Sequence, residues 1–306
     1  MPLHPQVKAY LERVAATRPD GNTLTPAQAR VDTGAAQRGQ GPKVARVEDR
    51  TIPVPGGSIP VRIYWPKGKG PFPAVVWFHG GGWVGGDIAL ADGPSRYITD
   101  LATCVVVNVG YRLAPEHKFP TPVEDCYGAA KWTYENAKVL QVDPTRVAIG
   151  GSSAGGNLAA AVALMARDRK GPPLIHQVLV YPVIERNFES KSYREHGRGL
   201  FLTKAMMKFY WEQYLRTNAD AEHPYVAPIK AKDLRGLPPA TVETAEYDPL
   251  RDEGEAYAAA LKKAGVPTKL TRYNGMIHGF MNMWSEIDGG RDALAEVARE
   301  LKKSFR

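Results

Sequence analysis

Short apolar segments recur through the middle of the chain, and helix-length segments separate them. Four of them are AVVWF from residue 74, CVVVNV from residue 104, RVAIG from residue 146 and QVLVYP from residue 177. Strands that helices cover on both faces lack the polar–apolar alternation of half-exposed strands, so these segments are typical of a parallel sheet. Because strands alternate with helices, right-handed crossovers are expected between them. The sequence therefore predicts an α/β fold with a doubly wound, mostly parallel sheet.

Further strands and helices extend this pattern on both sides. The other strand-like segments are VARVEDRTI from residue 44, IPVRIYW from residue 59, PATVETA from residue 239 and KLTRY from residue 269, which brings the sheet to about eight strands. Apolar residues at helical spacing predict helices over residues 7–14, 253–264 and 291–305. A polar stretch rich in Gly and Gln follows the first helix up to about residue 41.

The segment between residues 182 and 238 interrupts the alternation. A long polar loop precedes LTKAMMKFYWEQYL, where Thr203 is the predicted N-cap and one helical face carries Met207, Tyr210, Trp211 and Tyr214. Large apolar side chains also lie off that face, as in a helix that is deeply buried or that covers something. An insertion of more than fifty residues between two strands predicts a lid. The alternative is a helix packed only on the body of the domain.

Charge and cysteine content argue against several classes of protein. The net charge is +8, but the 40 basic residues are scattered rather than gathered in an arm for nucleic acid. Cys104 and Cys126 suggest neither a disulfide framework nor a metal cluster, which favours a reducing compartment. The first residues carry charges and prolines where a secretory signal needs an apolar stretch, and the longest apolar segment, residues 158–166, is too short for a bilayer. We expect a cytoplasmic protein.

The segment IGGSSAGGNL from residue 149 places two serines among glycines. A serine at a sharp strand-to-helix turn needs residues without side chains two positions before and after it, because strand and helix approach closely there. Gly151 and Gly155 meet that requirement around Ser153, whereas a pattern centred on Ser152 has Ala154 at one flank. Ser153 is therefore the candidate nucleophile.

The glycine-rich segment HGGGWVGGD directly follows the strand AVVWF. Its glycines allow successive backbone N–H groups to point at one spot, so it is a candidate oxyanion loop, with the N–H of Ala154 as the other donor. Residues 80–85 also match G-x-G-x-x-G, with Asp100 twenty residues beyond the first glycine. A dinucleotide-binding turn opens a helix at once and this segment does not, so nucleotide binding is the weaker alternative. We expect His79 to brace the loop.

The acid and the base are expected later in the chain, in the order serine, acid, histidine. Asp248 follows the strand PATVETA and His278 follows the strand KLTRY. Residues at the carboxyl ends of parallel strands face the crevice in which ligands bind, so both side chains are predicted to converge on the serine. Three neighbouring carboxylates compete with Asp248: Glu246, Asp252 and Glu253. The last two are predicted to cap and charge the first turn of the next helix.

Together these motifs resemble the hormone-sensitive-lipase-like (bacterial family IV) carboxylesterases of the α/β-hydrolase fold. HGGGW, YRLAPEHKFP, GSSAGG, DPLRDEG and HGF follow the family's order from about residue 44 to the C-terminus. The resemblance implies a catalytic triad of Ser153, Asp248 and His278. It also implies an oxyanion hole made by the backbone N–H groups of Gly81, Gly82 and Ala154. No metal or cofactor is expected.

The resemblance also implies a domain organisation and a substrate class. Residues 1–40 and 185–230 would form a helical cap on a hydrolase core of residues 41–184 and 231–306. The expected substrates are small carboxylic esters with short to medium acyl chains, bound by a monomer or homodimer that engages no nucleic acid and spans no membrane. The candidate pocket residues are Trp83, Phe201, Met206, Met207, Phe209 and Tyr210.

Other functions on the same fold remain open. Amidase, thioesterase or deacetylase activity uses the same groups, and long-chain lipase action is a further variant. A non-catalytic receptor is a different class of function, but receptors of this type typically lack the histidine base that is present here. Two positions depart from the family pattern, because Ser152 and Gly110 stand where Asp is usual. The first is expected to change the polarity beside the nucleophile, and neither removes a catalytic group.

Overall fold

One sheet of eight strands forms the centre of the computed structural model, which describes residues 2–15, 24–35, 39 and 41–306. The strands are β1 (Arg46–Val54), β2 (Gly57–Trp65), β3 (Phe72–Phe78), β4 (Val105–Val109), β5 (Val142–Ser152), β6 (His176–Val180), β7 (Ala240–Tyr247) and β8 (Thr268–Ile277). Their order is β1-β2-β4-β3-β5-β6-β7-β8. The pairs β1–β2 and β2–β4 are antiparallel and the other neighbours pair parallel. The predicted doubly wound, mostly parallel sheet is confirmed.

Helices cover both faces of this sheet. They are α1 (Pro5–Val14), α2 (Pro26–Ala35), α3 (Asp92–Ala102), α4 (Thr121–Glu135), α5 (Ala137–Leu140), α6 (Ala154–Asp168), α7 (Lys191–His196), α8 (Lys204–Tyr214), α9 (Arg251–Lys263) and α10 (Asp288–Ser304). Short 3-10 turns lie at Asn218–Glu222, Pro228–Lys230 and Phe280–Met283. Among the described residues, no helix has the length and apolar character needed to cross a membrane.

The apolar strands are buried on both faces, as their composition predicts. Every residue of β3 is buried. Val76 and Phe78 join the larger core, with side chains from α4, α6 and α9. Val75 and Trp77 point to the opposite face and join a second core, with side chains from α3 and α10. Because successive side chains alternate between the faces, both sets must be apolar.

Two helices lie in stretches for which the sequence pattern predicts none. The helix α2 occupies part of the Gly- and Gln-rich stretch, and α7 lies in the predicted long polar loop. Ser190 caps α7 by accepting a hydrogen bond from the backbone N–H of Tyr193. The helices α9 and α10 also begin two and three residues earlier than predicted. Of the predicted cap segment 1–40, residues 1, 16–23, 36–38 and 40 lie outside the described residues.

Candidate active site

Ser153 occupies the sharp turn between β5 and α6. Its φ of +57° and ψ of −121° lie in a region that residues with a Cβ rarely adopt. A Cβ on Gly151 would lie 2.4 Å from the carbonyl oxygen of Gly155, and a Cβ on Gly155 would lie 2.0 Å from that of Phe78. The glycines on either side of Ser153 are therefore required by backbone contact, which is the physical reason for the Gly-x-Ser-x-Gly spacing.

Two further side chains meet Ser153 at the carboxyl end of the sheet. The Ser153 Oγ lies 2.9 Å from Nε2 of His278, and Nδ1 of His278 lies 2.7 Å from Oδ2 of Asp248. His278 follows β8 directly and Asp248 follows β7, so neighbouring parallel strands deliver both side chains. Asp248 is fully buried, and its other oxygen accepts a hydrogen bond from the backbone N–H of Leu250 at 2.9 Å. The three residues that the sequence singled out lie in one hydrogen-bonded chain.

The glycine-rich loop after β3 presents free backbone amides beside this chain. Gly81 and Gly82 have positive φ values of 116° and 62°, and a Cβ on Gly81 would meet the carbonyl oxygen of Gly85 at 2.2 Å. In the part of the chain that the structure describes, neither amide donates a hydrogen bond. Ala154 is the first residue of α6, where the N–H has no acceptor within the helix. The loop continues as a turn and α3 begins only at residue 92, so it lacks the helix of a dinucleotide-binding turn.

His79 supports the loop. Its Nδ1 lies 2.7 Å from the carbonyl oxygen of Gly80, and its ring stacks on Tyr111 with a centroid distance of 4.3 Å and an interplanar angle of 13°. The Tyr111 hydroxyl donates to the carbonyl oxygen of His79 at 2.9 Å. Burial lowers the pKa of His79 to about 4, so its imidazole is neutral at physiological pH. These contacts suit a structural brace.

An ion pair fixes the segment that follows Tyr111. The Arg112 guanidinium donates through two nitrogens to the fully buried carboxylate of Asp125, at 2.9 and 2.6 Å. Its other bonds reach the carbonyl oxygens of Pro55 and Gly56. A bidentate pair holds both partners in one orientation. The YRLAPEHKFP segment is thereby tied to α4 and to the β1–β2 turn.

A cavity of about 90 Å³ opens above Ser153 and His278. Three of the six predicted pocket residues line it, namely Phe201, Met206 and Tyr210. The lining also includes Gly80, Gly81, Gly82 and Gly279, and side chains that the sequence did not predict for the pocket: Tyr10, Leu90, Tyr181, Leu202, Asn282, Met283 and Glu286. The cavity is mainly apolar, with hydroxyl, amide and carboxylate groups at a few points.

The pocket prediction was wrong for Trp83, Met207 and Phe209. Trp83 is fully buried and stacks on Tyr214, and Met207 belongs to the same core. Phe209 is half-buried and packs against that core and the edge of Tyr210. Neighbouring positions of a helix point in directions about 100° apart, so Met207 and Phe209 do not reach the cavity that Met206 and Tyr210 line.

The N-terminal helix α1 forms one wall of the cavity through Tyr10. Arg13 of α1 pairs with the carboxylate of Glu286 at the cavity rim. Gln6 exchanges two hydrogen bonds with Asp288, one to its side chain at 2.9 Å and one from its backbone N–H at 3.0 Å. Polar contacts therefore join α1 to the segment that follows His278.

The competing carboxylates have other partners. Glu246 accepts from the backbone N–H of Gly275 at 2.7 Å. Asp252 and Glu253 lie in the first turn of α9 as predicted, but neither caps the helix, which corrects that part of the prediction. They instead accept at 2.7 Å from the backbone N–H groups of Ser192 and Ile184, because the inserted segment packs over the start of that helix. Burial raises the pKa of Glu253 well above its usual value.

No metal site accompanies these groups: the described residues contain no cluster of three or more His, Cys, Asp or Glu side chains suited to hold an ion. The arrangement can activate a serine hydroxyl through a buried base and can offer amides to a developing oxyanion.

Comparison with known proteins identifies relatives along most of the chain. A family model described as alpha/beta hydrolase fold matches residues 75–282. The chain is 42% identical over 260 residues to the carboxylic ester hydrolase LipN of Mycobacterium tuberculosis, covering 83% of this chain and 69% of that protein. It is 44% identical over 239 residues to an arylesterase of Saccharolobus solfataricus, covering 78% of each. The solved structure of a hyperthermophilic esterase from the archaeon Pyrobaculum calidifontis superposes with a TM-score of 0.93 at 43% identity, covering 99% of both chains.

Proposed function

Because this chain belongs to the α/β-hydrolase-fold family and is an ester hydrolase of its hormone-sensitive-lipase-like group, we propose that it cleaves carboxylic esters through an acyl-enzyme on Ser153. The observation that carries this proposal is the unbroken chain of hydrogen bonds from the Ser153 hydroxyl through His278 to Asp248. A serine hydroxyl alone is a weak nucleophile and needs a base that another group orients. Both are present within 2.9 Å of their partners.

In the first half-reaction, Nε2 of His278 accepts the Ser153 proton as Oγ attacks the ester carbonyl. Asp248 holds the Nδ1–H tautomer and stabilises the imidazolium that forms. His278 then donates its proton to the leaving alcohol, and a water molecule repeats the sequence on the acyl-enzyme. The first of these transfers joins Ser153 and His278, which already lie at hydrogen-bond distance.

The negative charge on the tetrahedral oxygen is proposed to meet the backbone N–H groups of Gly81, Gly82 and Ala154. Two of these amides lack an acceptor in the described residues and the third starts a helix, so they are available to the oxyanion. Loss of one such donor typically costs about 3 kcal/mol of transition-state stabilisation.

We further propose that residues 1–40 and 185–230 form a cap that selects short to medium acyl chains. Tyr10 from α1, and Met206 and Tyr210 from α8, line the same cavity as Ser153 and His278. The small volume of about 90 Å³ supports short chains over long ones. A reducing, cytoplasmic location is supported by Cys104 and Cys126, which are both buried and unpaired.

The test compares two adjacent serines. We expect Ser153→Ala to abolish hydrolysis of p-nitrophenyl butyrate and labelling by a fluorophosphonate, while Ser152→Ala retains most of both. Equal loss in the two variants would mean that Ser153 is not the nucleophile. A fluorophosphonate-inert wild type would support the receptor alternative.

A panel of p-nitrophenyl esters from acetate to palmitate, with matched thioesters and amides, tests the substrate class. We expect the highest kcat/KM between acetate and octanoate, and lower values for thioesters and amides. A maximum at palmitate would contradict the proposed cavity limit.

A further inference from the structure

The loop that carries the proposed oxyanion donors has three successive residues with positive φ. They are Gly81 at 116°, Gly82 at 62° and Trp83 at 62°. Glycine adopts such angles without cost, but a residue with a Cβ does so at a cost of about 1 kcal/mol or more. A strained residue persists only where its surroundings hold it. Residues around Trp83 must therefore hold it in this conformation.

Aromatic side chains of α8 hold it. The Trp83 ring stacks on Tyr214 with a centroid distance of 4.3 Å and an interplanar angle of 5°, and lies 4.8 Å from the ring of Trp211. All three side chains are fully buried. Within the described residues, the polar side-chain atoms of these three rings have no hydrogen-bond partner, so ring packing orients the side chains. We name Trp83, Trp211 and Tyr214 the aromatic clamp.

One turn earlier on α8, Tyr210 covers the preceding loop residue. A Cβ on Gly82 would lie 2.4 Å from the Tyr210 ring, so the ring rests directly on the Gly82 backbone. Tyr210 and Tyr214 are four residues apart and therefore share one face of the helix. That face touches two successive residues of the oxyanion loop.

The helix is in turn anchored to the segment that braces the loop from the other side. The carbonyl oxygen of Tyr214 accepts from the N–H of Phe119 at 3.0 Å, and that of Leu215 accepts from the Lys118 ammonium at 2.8 Å. The N–H of Ala114, in the same segment, donates to the carbonyl oxygen of Trp83 at 2.9 Å. The loop is thus enclosed between α8 and residues 114–119.

We propose that the aromatic clamp positions the backbone amides that bind the oxyanion, so that the seating of α8 is a condition for catalysis. The proposal rests on the proposed function, since it assigns a task to the same loop. Trp83, Trp211 and Tyr214 act as positioning residues, because none of them lines the cavity in which the ester binds. If α8 loosens, Trp83 is free to leave its strained conformation and Gly82 moves with it, so the amides turn away from Ser153.

The test removes the stacked ring while keeping the triad. We expect Tyr214→Leu to lower kcat for p-nitrophenyl butyrate by about 10- to 100-fold, up to the effect of losing one oxyanion donor. The KM should change less than threefold, and the affinity for a trifluoromethyl ketone, which forms a tetrahedral adduct on the serine, should fall in parallel with kcat/KM. Tyr214→Phe keeps the ring and loses only an unpartnered hydroxyl, so it should retain the activity of the wild type.

Tyr257→Leu is the matched control. Tyr257 is also fully buried with an unpartnered hydroxyl, but it lies on α9, which packs against β7 and β8. We expect this variant to lose stability to a similar extent while keeping kcat. A Tyr214→Leu protein that is folded and keeps its kcat and its ketone affinity would overturn the proposal. So would equal losses of kcat in the Tyr214 and Tyr257 variants.

Trp83→Gly provides a second measurement if Tyr214→Leu fails to fold. Glycine relieves the φ strain at position 83 but removes the stacked ring. The clamp predicts a lower kcat, whereas a loop that holds itself would keep or raise it, which would refute the proposal. Failure of the proposed function is recognised separately, because it would appear as an active Ser153→Ala protein with the clamp intact.

Discussion

An alanine at position 155 tests whether the contact between α6 and β3 fixes the nucleophile. A Cβ there would lie 2.0 Å from the carbonyl oxygen of Phe78 and 2.5 Å from that of His79. Real Cβ contacts stay beyond 3.0 Å, so the start of α6 and the end of β3 must separate by about 1 Å. Both obstructing atoms belong to the backbone, so no side chain can rotate out of the way.

The separation affects both halves of the proposed machinery. It shifts Ser153, which directly precedes α6, and it shifts His79, which leads into the oxyanion loop. A misplacement of 1 Å typically costs about 100-fold in rate, and overpacking costs about 1–3 kcal/mol of stability. We expect Gly155→Ala to lower kcat/KM for p-nitrophenyl butyrate by about 100-fold. We also expect the free energy of unfolding, measured in urea, to fall by about 3 kcal/mol.

Gly128→Ala is the control for this substitution. Residue 128 lies within α4, and its Cβ would meet only side-chain and ring atoms of Val54 and Pro55, the nearest at 3.1 Å. Such atoms can shift by a few tenths of an ångström, and alanine favours the helix by about 1 kcal/mol over glycine. This variant should keep its activity and stability. If Gly155→Ala keeps kcat/KM within threefold of the wild type and unfolds at the same urea concentration, close backbone contact does not hold the site.

Three further predictions concern charge. Asp125→Asn removes the buried carboxylate that pairs with Arg112, and it should lower the free energy of unfolding, measured in urea, by about 3 kcal/mol. Glu124→Gln breaks the more exposed pair with Arg169 and should lower it by less than about 1 kcal/mol. Equal losses in the two variants would show that burial does not determine the strength of these pairs. Burial lowers the pKa of His79 and His176 to about 4. Between pH 6.5 and pH 4 these histidines are therefore protonated in the unfolded chain but neutral in the native chain, so the free energy of unfolding falls as the pH decreases through that range. Each histidine contributes up to about 3 kcal/mol to this change in the free energy of unfolding. The urea midpoint of a His176→Gln protein should therefore vary less with pH between pH 7 and pH 4.5 than that of the wild type. An equal variation with pH in both proteins would refute this account. Asp248→Asn should lower kcat by about 10⁴-fold with little change in KM, because the base loses the group that fixes its tautomer, and steady-state kinetics would reject the role at a loss below tenfold.

The parallel sheet was predictable because strands that are buried on both faces are apolar at nearly every position, and few other structural elements have that composition. The segment at Ala74–Phe78 is apolar throughout, and its two sets of side chains enter two different cores. The candidate site was predictable for a related reason. Glycine spacing around Ser153 reports a backbone contact, and the ends of neighbouring strands place Asp248 and His278 together.

The sequence contained a signal for α2 that the periodicity argument did not use. Thr25 and Gln28 form a capping box, in which the Thr25 hydroxyl accepts from the N–H of Gln28 and the Gln28 side chain accepts from the N–H of Thr25. Pro26 follows as the first helical residue. Capping residues mark a helix start even where, as in this polar stretch, the apolar stripe is weak.

The pocket lining was the least predictable part. Periodicity shows which residues share a face of α8, but it cannot show which face meets the cavity. Met206 and Tyr210 line the cavity as well as packing in the core, whereas Met207, Trp211 and Tyr214 pack only in the core. The helix α1 reaches the cavity because Tyr10 lies beside residues near the other end of the sequence, such as Met283 and Glu286, and no local sequence pattern reveals such a contact.

The two glycine motifs, far apart in the sequence, depend on each other in the fold. Gly155 rests against the carbonyl oxygens of Phe78 and His79, and a Cβ on Gly80 would lie 3.1 Å from the carbonyl oxygen of Ser152. The Ser153 turn and the glycine-rich loop are therefore held together by direct contact of main chain with main chain, and the aromatic clamp adds side-chain packing to the loop. The side chain of Ser152 is buried as well, and its hydroxyl oxygen would lie 3.4 Å from the same Cβ on Gly80.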